Sequence, residues 1–291
     1  MRFTDDFFDY ELIDALDGQR LERWGDIILV RPDPQIIWGG AKNDKRWFEP
    51  HAVYHRSNSG GGHWEVKKKV PDVWQINYGS LSFRLKPMGF KHTGLFPEQA
   101  VNWKLADSII RNAKRPVKVL NMFAYTGGAT LACLNAGASV THVDASKGMV
   151  QWAKENANVS KLDDKPVRWL VDDCVKFVKR EIRRGNKYDA IIMDPPSYGR
   201  GPDGEVWKLE QQIGSLLKDT AELLSENPLF VFLNSYTGGL SPTILDYMVK
   251  NTFPKTASSV KTDEIGLKVT ERDIVLPCGN TTIWMGSGVN G

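Results

Sequence analysis

A chain of 291 residues with 41% hydrophobic and 25% charged residues is that of an ordinary globular protein, long enough for one large domain and an appendage. Its apolar runs are strand-length, far short of the roughly 20 residues a membrane span needs, and Met1-Arg-Phe-Thr-Asp-Asp6 lacks a basic-then-apolar signal, so a cytoplasmic location is expected. The net charge of +3 permits an anionic partner without requiring one, and Cys133, Cys174 and Cys278 lie too far apart for a disulfide framework or a zinc site, so no metal is expected.

From Tyr10 to Pro87 the texture is β. Ala15-Leu-Asp-Gly-Gln-Arg-Leu21 sets an Asp-Gly turn between apolar runs, and Trp24 to Pro32 reads as a strand stopped by the proline. Val73 to Leu85 reads as a hairpin turning at Tyr78-Gly79, and Ser57-Asn-Ser-Gly-Gly-Gly62 as an exposed loop. Residues 1–88 are therefore expected to form a small antiparallel β domain. Residues 1–100 carry 14 Lys+Arg against 14 Asp+Glu, so this part lacks the clustered basic patch of a dedicated RNA-binding module.

Near Phe96 the rhythm changes to strand–helix alternation, the signature of a parallel sheet covered on both faces. Helices are expected over Gln99–Ala113 and over Ser146–Val159, the latter capped by Ser146. Strands are expected near Val117–Phe123, Val140–Asp144, Val167–Val171, Ala190–Asp194 and Leu229–Leu233. Two more strands with a turn at Cys278-Gly-Asn280 follow. Residues 89–291 thus read as an α/β, Rossmann-like domain.

The segment Val117 to Thr130 carries the chemistry. An apolar run ends at Asn121, a turn carries Gly127 and Gly128, and a helix of small residues follows. A second apolar run closes on Asp144. This arrangement predicts a nucleotide-type pocket at the carboxyl edge of the sheet, where the glycines let the backbone approach a ligand and the acid accepts both ribose hydroxyls. Tyr125 and Thr126 stand where Gly-x-Gly-x-x-Gly would place its first glycines, so a diphosphate is disfavoured. The spacing points instead to S-adenosylmethionine, a nucleoside without phosphates. Four strands end at Asn121, Asp144, Asp172/Asp173 and Asp194. Any one of these could simply cap the next helix; together they converge on one crevice. Asp173, or else Asp172, is placed to accept from the adenine amino group. Thr126 offers a hydroxyl near the methionine portion, and Phe123, Tyr125, Ala145 and Ser146 are cofactor-binding candidates on the same two loops.

Asp194-Pro-Pro-Ser-Tyr-Gly199 is the candidate reaction motif. Its prolines remove backbone donors and hold the chain extended, leaving carbonyls free to accept. Asp194 and the Pro195 carbonyl could orient an amino group, and Tyr198 could stack on a flipped-out base. Lys176, Lys179, Arg180, Arg183, Arg184 and Lys187 fall at helical spacing opposite Val175, Phe177, Val178 and Ile182, as either an RNA-backbone stripe or a solvated helix face.

Asn121-Met-Phe-Ala-Tyr-Thr-Gly-Gly128, with Val143-Asp-Ala-Ser146, Val171-Asp-Asp173 and Asp194-Pro-Pro-Ser-Tyr198, resembles the class I methyltransferases. It is most similar to the branch that methylates bases of large-subunit ribosomal RNA. His92-Thr-Gly-Leu-Phe-Pro-Glu-Gln99 resembles the segment preceding the cofactor motif in that branch, with His92 where its members carry Lys. The resemblance spans roughly residues 89–236. It implies a mostly parallel sheet whose last strand, Thr281 to Gly286, is antiparallel. It also implies that Phe96 and Gln99 close the cofactor site, that RNA is the substrate, and that methyl transfer to a base nitrogen is direct and in-line. Cytosine-5 members carry a cysteine nucleophile after the fifth strand, where this chain reads Phe232-Leu-Asn-Ser-Tyr-Thr-Gly238. A protein or small-molecule methyltransferase, and an RNA-binding protein without activity, remain as alternatives, and the oligomeric state is not predicted.

Overall fold

Asp17 and Gly18 both take positive φ (+49° and +74°), the geometry a two-residue hairpin demands, and turn β1 (Tyr10–Leu16) into β2 (Gln19–Trp24). Gly25 (φ +63°) turns β2 into β3 (Ile27–Pro32). β4 (Ala52–Arg56) then pairs parallel with β3, and β5 (Gly62–Val66) pairs antiparallel with β4. β6 (Trp74–Tyr78) and β7 (Leu81–Leu85) form a separate hairpin turning at Gly79 (φ +56°).

The computed structural model describes residues 1–57, 61–200, 204, 206–236, 239–254 and 259–286. Residues 58–60, in the loop read from the sequence at Ser57–Gly62, lie outside it.

The strands above belong to one of two compact units, residues 3–100 with 266–277. Ile13, Leu16, Leu21, Val30, Trp47 and Val53 form an apolar core there. Beside it, Arg31 and Glu22 pair at 2.6 Å, and Tyr10 donates to Glu22 at 2.8 Å. Burial opposes the charge on Glu22, yet the guanidinium holds its carboxyl below the usual range. β1 also pairs parallel with the stretch containing Val269. The unit is therefore mainly antiparallel, with two parallel pairs, and it extends past residue 88 to Ala100 before resuming at Gly266.

The second unit comprises residues 1–2, 101–265 and 278–291. Its elements are α1 (Ala100–Asn112), β8 (Lys118–Met122), α2 (Gly128–Asn135), β9 (Ser139–Asp144), α3 (Lys147–Val159), β10 (Val167–Val171) and α4 (Cys174–Arg183). They continue with β11 (Ala190–Met193), β12 (Tyr198–Arg200), β13 (Val206–Lys208), α5 (Leu209–Ala221), β14 (Phe230–Ser235) and α6 (Pro242–Thr252). β15 (Ser259–Val269) and β16 (Ile274–Met285) contribute residues to both units.

The sheet order in this unit is β10-β9-β8-β11-β14-β16, parallel through β14, with β16 antiparallel to it. β11 and β14 are buried along their whole length, as strands covered on both faces should be. The chain steps outward from β8 to β10 and then returns to place β11 beside β8. That reversal is a topological switch point, where the carboxyl ends of neighbouring strands open a crevice.

The turn expected at Cys278-Gly-Asn280 is not there: β16 runs through it, and the chain turns at residues 270–273. Gly279 serves close strand pairing instead, since a Cβ on it would lie 2.9 Å from the Ser235 carbonyl oxygen. Among the described residues no helix is long and apolar enough to cross a membrane, and no cluster of metal-ligating side chains occurs.

Candidate active site

The loop after β8 is built under strain. Phe123 (φ +55°), Tyr125 (φ +50°) and Gly127 (φ +88°) all lie in the left-handed region, which costs a non-glycine residue about 1 kcal/mol or more. Its polar groups are fixed one after another. The N–H of Phe123 donates to Cys174 Sγ (3.4 Å), that of Ala124 to the Val143 carbonyl (3.1 Å), and that of Tyr125 to Asp144 Oδ2 (2.8 Å). Asn156 Nδ2 donates to the Thr126 carbonyl at 2.9 Å. These bonds hold the loop against β9, α3 and α4.

The glycine pair has a packing reason as well as the expected one. A Cβ on Gly127 would lie 3.0 Å from that of Ala153, and one on Gly128 would lie 2.4 Å from Trp103 Cζ2. The indole of α1 occupies the space a side chain at 128 would need. Gly127 caps α2 without a side-chain bond, so the first-turn N–H groups can face the carboxylate of a ligand.

Asp144 ends β9 beside this loop, with Oδ2 accepting from Tyr125 N and Oδ1 from Ser146 N, each at 2.8 Å. A carboxylate has about four acceptor sites, so two remain for a vicinal diol. Burial raises the pKa of Asp144 and the two N–H bonds oppose it; the net direction is upward. Ser146 caps α3 by accepting from Met149 N at 3.4 Å, and Ala145 lies between the two.

The other strand-end groups have partners of their own. Asp173 Oδ1 accepts from Lys176 N at 2.8 Å and caps α4, while the Asp172 carboxylate pairs with Arg180. Asn121 is buried and donates to Thr130 Oγ1 (2.9 Å), which in turn meets His142 Nδ1 (2.9 Å). Burial pushes the His142 pKa down to about 3, so this chain is a neutral brace between β8, α2 and β9. Thr126 is buried. Phe96 and Gln99 belong to the other unit, where Phe96 lies 5.2 Å from the ring of His92 and Gln99 is buried.

Across the switch point, Asp194 donates its N–H to the Met122 carbonyl at 3.4 Å, tying the reaction motif to the end of β8. The carbonyls that follow are used unequally. That of Pro196 accepts from Trp207 Nε1 (2.6 Å) and that of Ser197 from Leu209 N (3.1 Å). The Pro195 carbonyl accepts from none of the described residues. Tyr198 is 53% exposed at the start of β12. Cys133 and Cys174 are buried, which lifts both thiols, Cys133 to about 12, as befits packing residues rather than nucleophiles.

The structure thus gathers Asn121, Phe123, Tyr125, Thr126, Gly127, Gly128, Asp144, Ala145, Ser146 and Asp194 at adjoining strand ends. Trp103, Cys174 and Trp207 join them unforeseen. No spacing in the sequence marks these three, whose contacts are set by tertiary structure.

A family model described as S-adenosylmethionine-dependent methyltransferase matches residues 49–258. The chain is 29% identical over 182 residues to "Ribosomal RNA large subunit methyltransferase K/L" of Shewanella frigidimarina, which covers 62% of this chain and 25% of that protein. It is 31% identical over 171 residues to the protein of the same name in Pseudoalteromonas atlantica, covering 58% and 23%. The chain therefore matches about a quarter of the length of these relatives. The solved structure of an SAM-dependent methyltransferase from Agrobacterium tumefaciens superposes with a TM-score of 0.91 at 36% identity, over 95% of this chain and 90% of that one.

Proposed function

The chain belongs to the S-adenosylmethionine-dependent methyltransferase family, and on that footing we propose that it methylates a base nitrogen in RNA, with ribosomal RNA as the expected substrate. The observation that carries the nitrogen acceptor is the reaction motif at the switch point. There Asp194 stands beside the Pro195 carbonyl, which has kept its acceptor capacity while the next two carbonyls are used. The names of the curated relatives support the RNA substrate. A cytoplasmic location goes with that reading.

The donor set fits the cofactor. Asp144 has acceptors to spare for the ribose hydroxyls, the uncapped start of α2 suits the methionine carboxylate, and Asp173 retains an oxygen for the adenine amino group. When bound, S-adenosylmethionine supplies a methyl group made electrophilic by its sulfonium. The chain's own part is to place the acceptor. Asp194 and the Pro195 carbonyl take hydrogen bonds from the target N–H and so aim its lone pair, and Tyr198 holds the base by stacking. Positioning of this kind supplies most of the catalysis such a displacement needs. The buried thiols take no part, in keeping with a nitrogen rather than a ring-carbon acceptor.

The deciding experiment is methyl transfer from labelled S-adenosylmethionine to total RNA from a strain lacking this protein, beside a protein fraction. Label in RNA is expected, with nuclease mapping naming the base. Label confined to protein would refute the RNA reading.

A further inference from the structure

The segment after the reaction motif is a two-stranded ribbon with unlike faces. β12 and β13 pair antiparallel with Tyr198 opposite Lys208, Gly199 opposite Trp207, and Arg200 opposite Val206. Side chains on such a ribbon alternate between faces, so Trp207 and Gly199 share one face while Tyr198 and Lys208 share the other. Burial follows this alternation: Trp207 is buried between exposed Val206 and Lys208.

The inner face is an anchor. Gly199 faces Trp207 on this side, and a Cβ there would sit 3.8 Å from Trp207 Cβ, in ordinary contact. Trp207 donates to the Pro196 carbonyl at 2.6 Å, and its ring centroid lies 5.3 Å from that of Phe123 in the cofactor loop. One side chain therefore leans on both loops of the site. Lys208 N bonds Gln212 Oε1 at 2.8 Å, and Leu209 N bonds the Ser197 carbonyl at 3.1 Å, which fixes the far end of β13 to the motif.

The outer face is open. Tyr198 and Lys208 stand directly opposite each other, and cross-strand pairs of this kind have Cβ atoms about 5 Å apart. Neither the phenol nor the ammonium has a hydrogen-bond or ion-pair partner among the described residues. A ring within the reaction motif, with a cation directly across from it, matches the two parts of a nucleotide: base and phosphate.

We propose that the β12–β13 ribbon is a nucleotide clamp, in which Lys208 holds the phosphate of the nucleotide whose base rests on Tyr198 and Trp207 fixes the ribbon to the motif. The substrate class is an unpaired or flipped-out nucleotide, since a base within a duplex has no face to give to Tyr198. The inference rests on the RNA reading above.

The test uses the full-length protein, with total RNA from the deletion strain as methyl acceptor and a fluorescein-labelled, unstructured RNA for binding. Lys208→Ala should weaken RNA binding about five- to tenfold and flatten the slope of log affinity against log salt by about 0.7, the loss of one single-strand phosphate contact. It should raise KM for RNA far more than it lowers kcat. Lys208→Arg should restore affinity, and Lys218→Ala, an exposed lysine on α5, should change nothing. Trp207→Phe keeps a ring near Phe123 but loses the bond to Pro196. It should lower kcat on RNA while S-adenosylmethionine affinity by calorimetry stays within about twofold. If the wild type binds and methylates RNA but Lys208→Ala keeps its affinity and salt slope, the clamp is overturned and the RNA reading stands. An unchanged kcat in Trp207→Phe would remove the anchor. If the wild type neither binds nor methylates RNA, both readings fall.

Discussion

Gly128→Ala sets two effects of opposite sign against each other. In a helix, replacing glycine by alanine usually stabilises by up to about 1 kcal/mol. Here the new methyl would lie 2.4 Å from Trp103 Cζ2 and 2.9 Å from Cε2, where carbon contacts prefer about 3.5–4.0 Å. The indole would have to retreat by about 1 Å, and at 4% exposure it has no open side to move into. Overpacking of this kind costs about 1–3 kcal/mol, so the clash outweighs the helix gain by up to about 2 kcal/mol and should lower Tm by up to about 4–8 °C. S-adenosylmethionine affinity should drop with it, because the start of α2 is displaced. Scanning calorimetry and cofactor titration read both effects, and Trp103→Phe, which shortens the ring, should recover much of the loss in the double variant. A rise in Tm for Gly128→Ala, or a double variant no better than the sum of its parts, would refute this account of the glycine.

Other expectations follow from the same geometry. Asp144→Asn should cost about 10- to 100-fold in S-adenosylmethionine affinity by calorimetry, the worth of one or two charge-assisted bonds. Burial holds the Asp144 pKa above its ordinary value, so wild-type affinity should begin to fall at a higher pH than an exposed aspartate would give. Asp194→Asn should reduce methyl transfer by about 100-fold or more, measured under saturating cofactor, and near-normal turnover would remove Asp194 from the reaction. His142 is held near 3 against an ordinary 6.5, so the unfolded chain takes up its proton first. Its share of stability is complete above about pH 6.5, declines as pH falls, and is lost by about pH 3. By pH 5 the loss should reach about 2 kcal/mol in urea titrations, and His142→Gln should flatten that pH slope.

What was legible in the sequence was local. Asp17-Gly18, Gly79 and Ser146 declare turns and a cap through backbone chemistry that needs no distant partner, and all three act as read. Asp144 was legible because a strand of one period ends on an acid, and its carboxylate does meet the glycine-bearing loop. Asn121 shows where that reasoning stops. It lies one residue before the end of β8, and its side chain bonds Thr130, a partner set by how α2 packs on β8. Gly279 shows an ambiguity of residue type: glycine marks a turn or a close backbone approach, and only the neighbouring Ser235 carbonyl decides between them. Trp207 carried no signal, because its bond to Pro196 depends on a ribbon whose pairing joins residues ten apart in sequence, Tyr198 with Lys208.

The return of Gly266–Pro277 to the N-terminal unit governs how this polypeptide can be dissected. A fragment ending near residue 88 or 100 would lack the stretch that pairs with β1 at Leu12 and Val269, and would lose Arg272, whose guanidinium meets Asp14 at 2.7 Å. Its first strand would be left as a bare edge, a template for self-association. Excising the piece as a free-standing module would thus yield aggregates whatever its native role. A workable excision needs a splice that carries residues 266–277 along, or a swap that exchanges both sequence segments together.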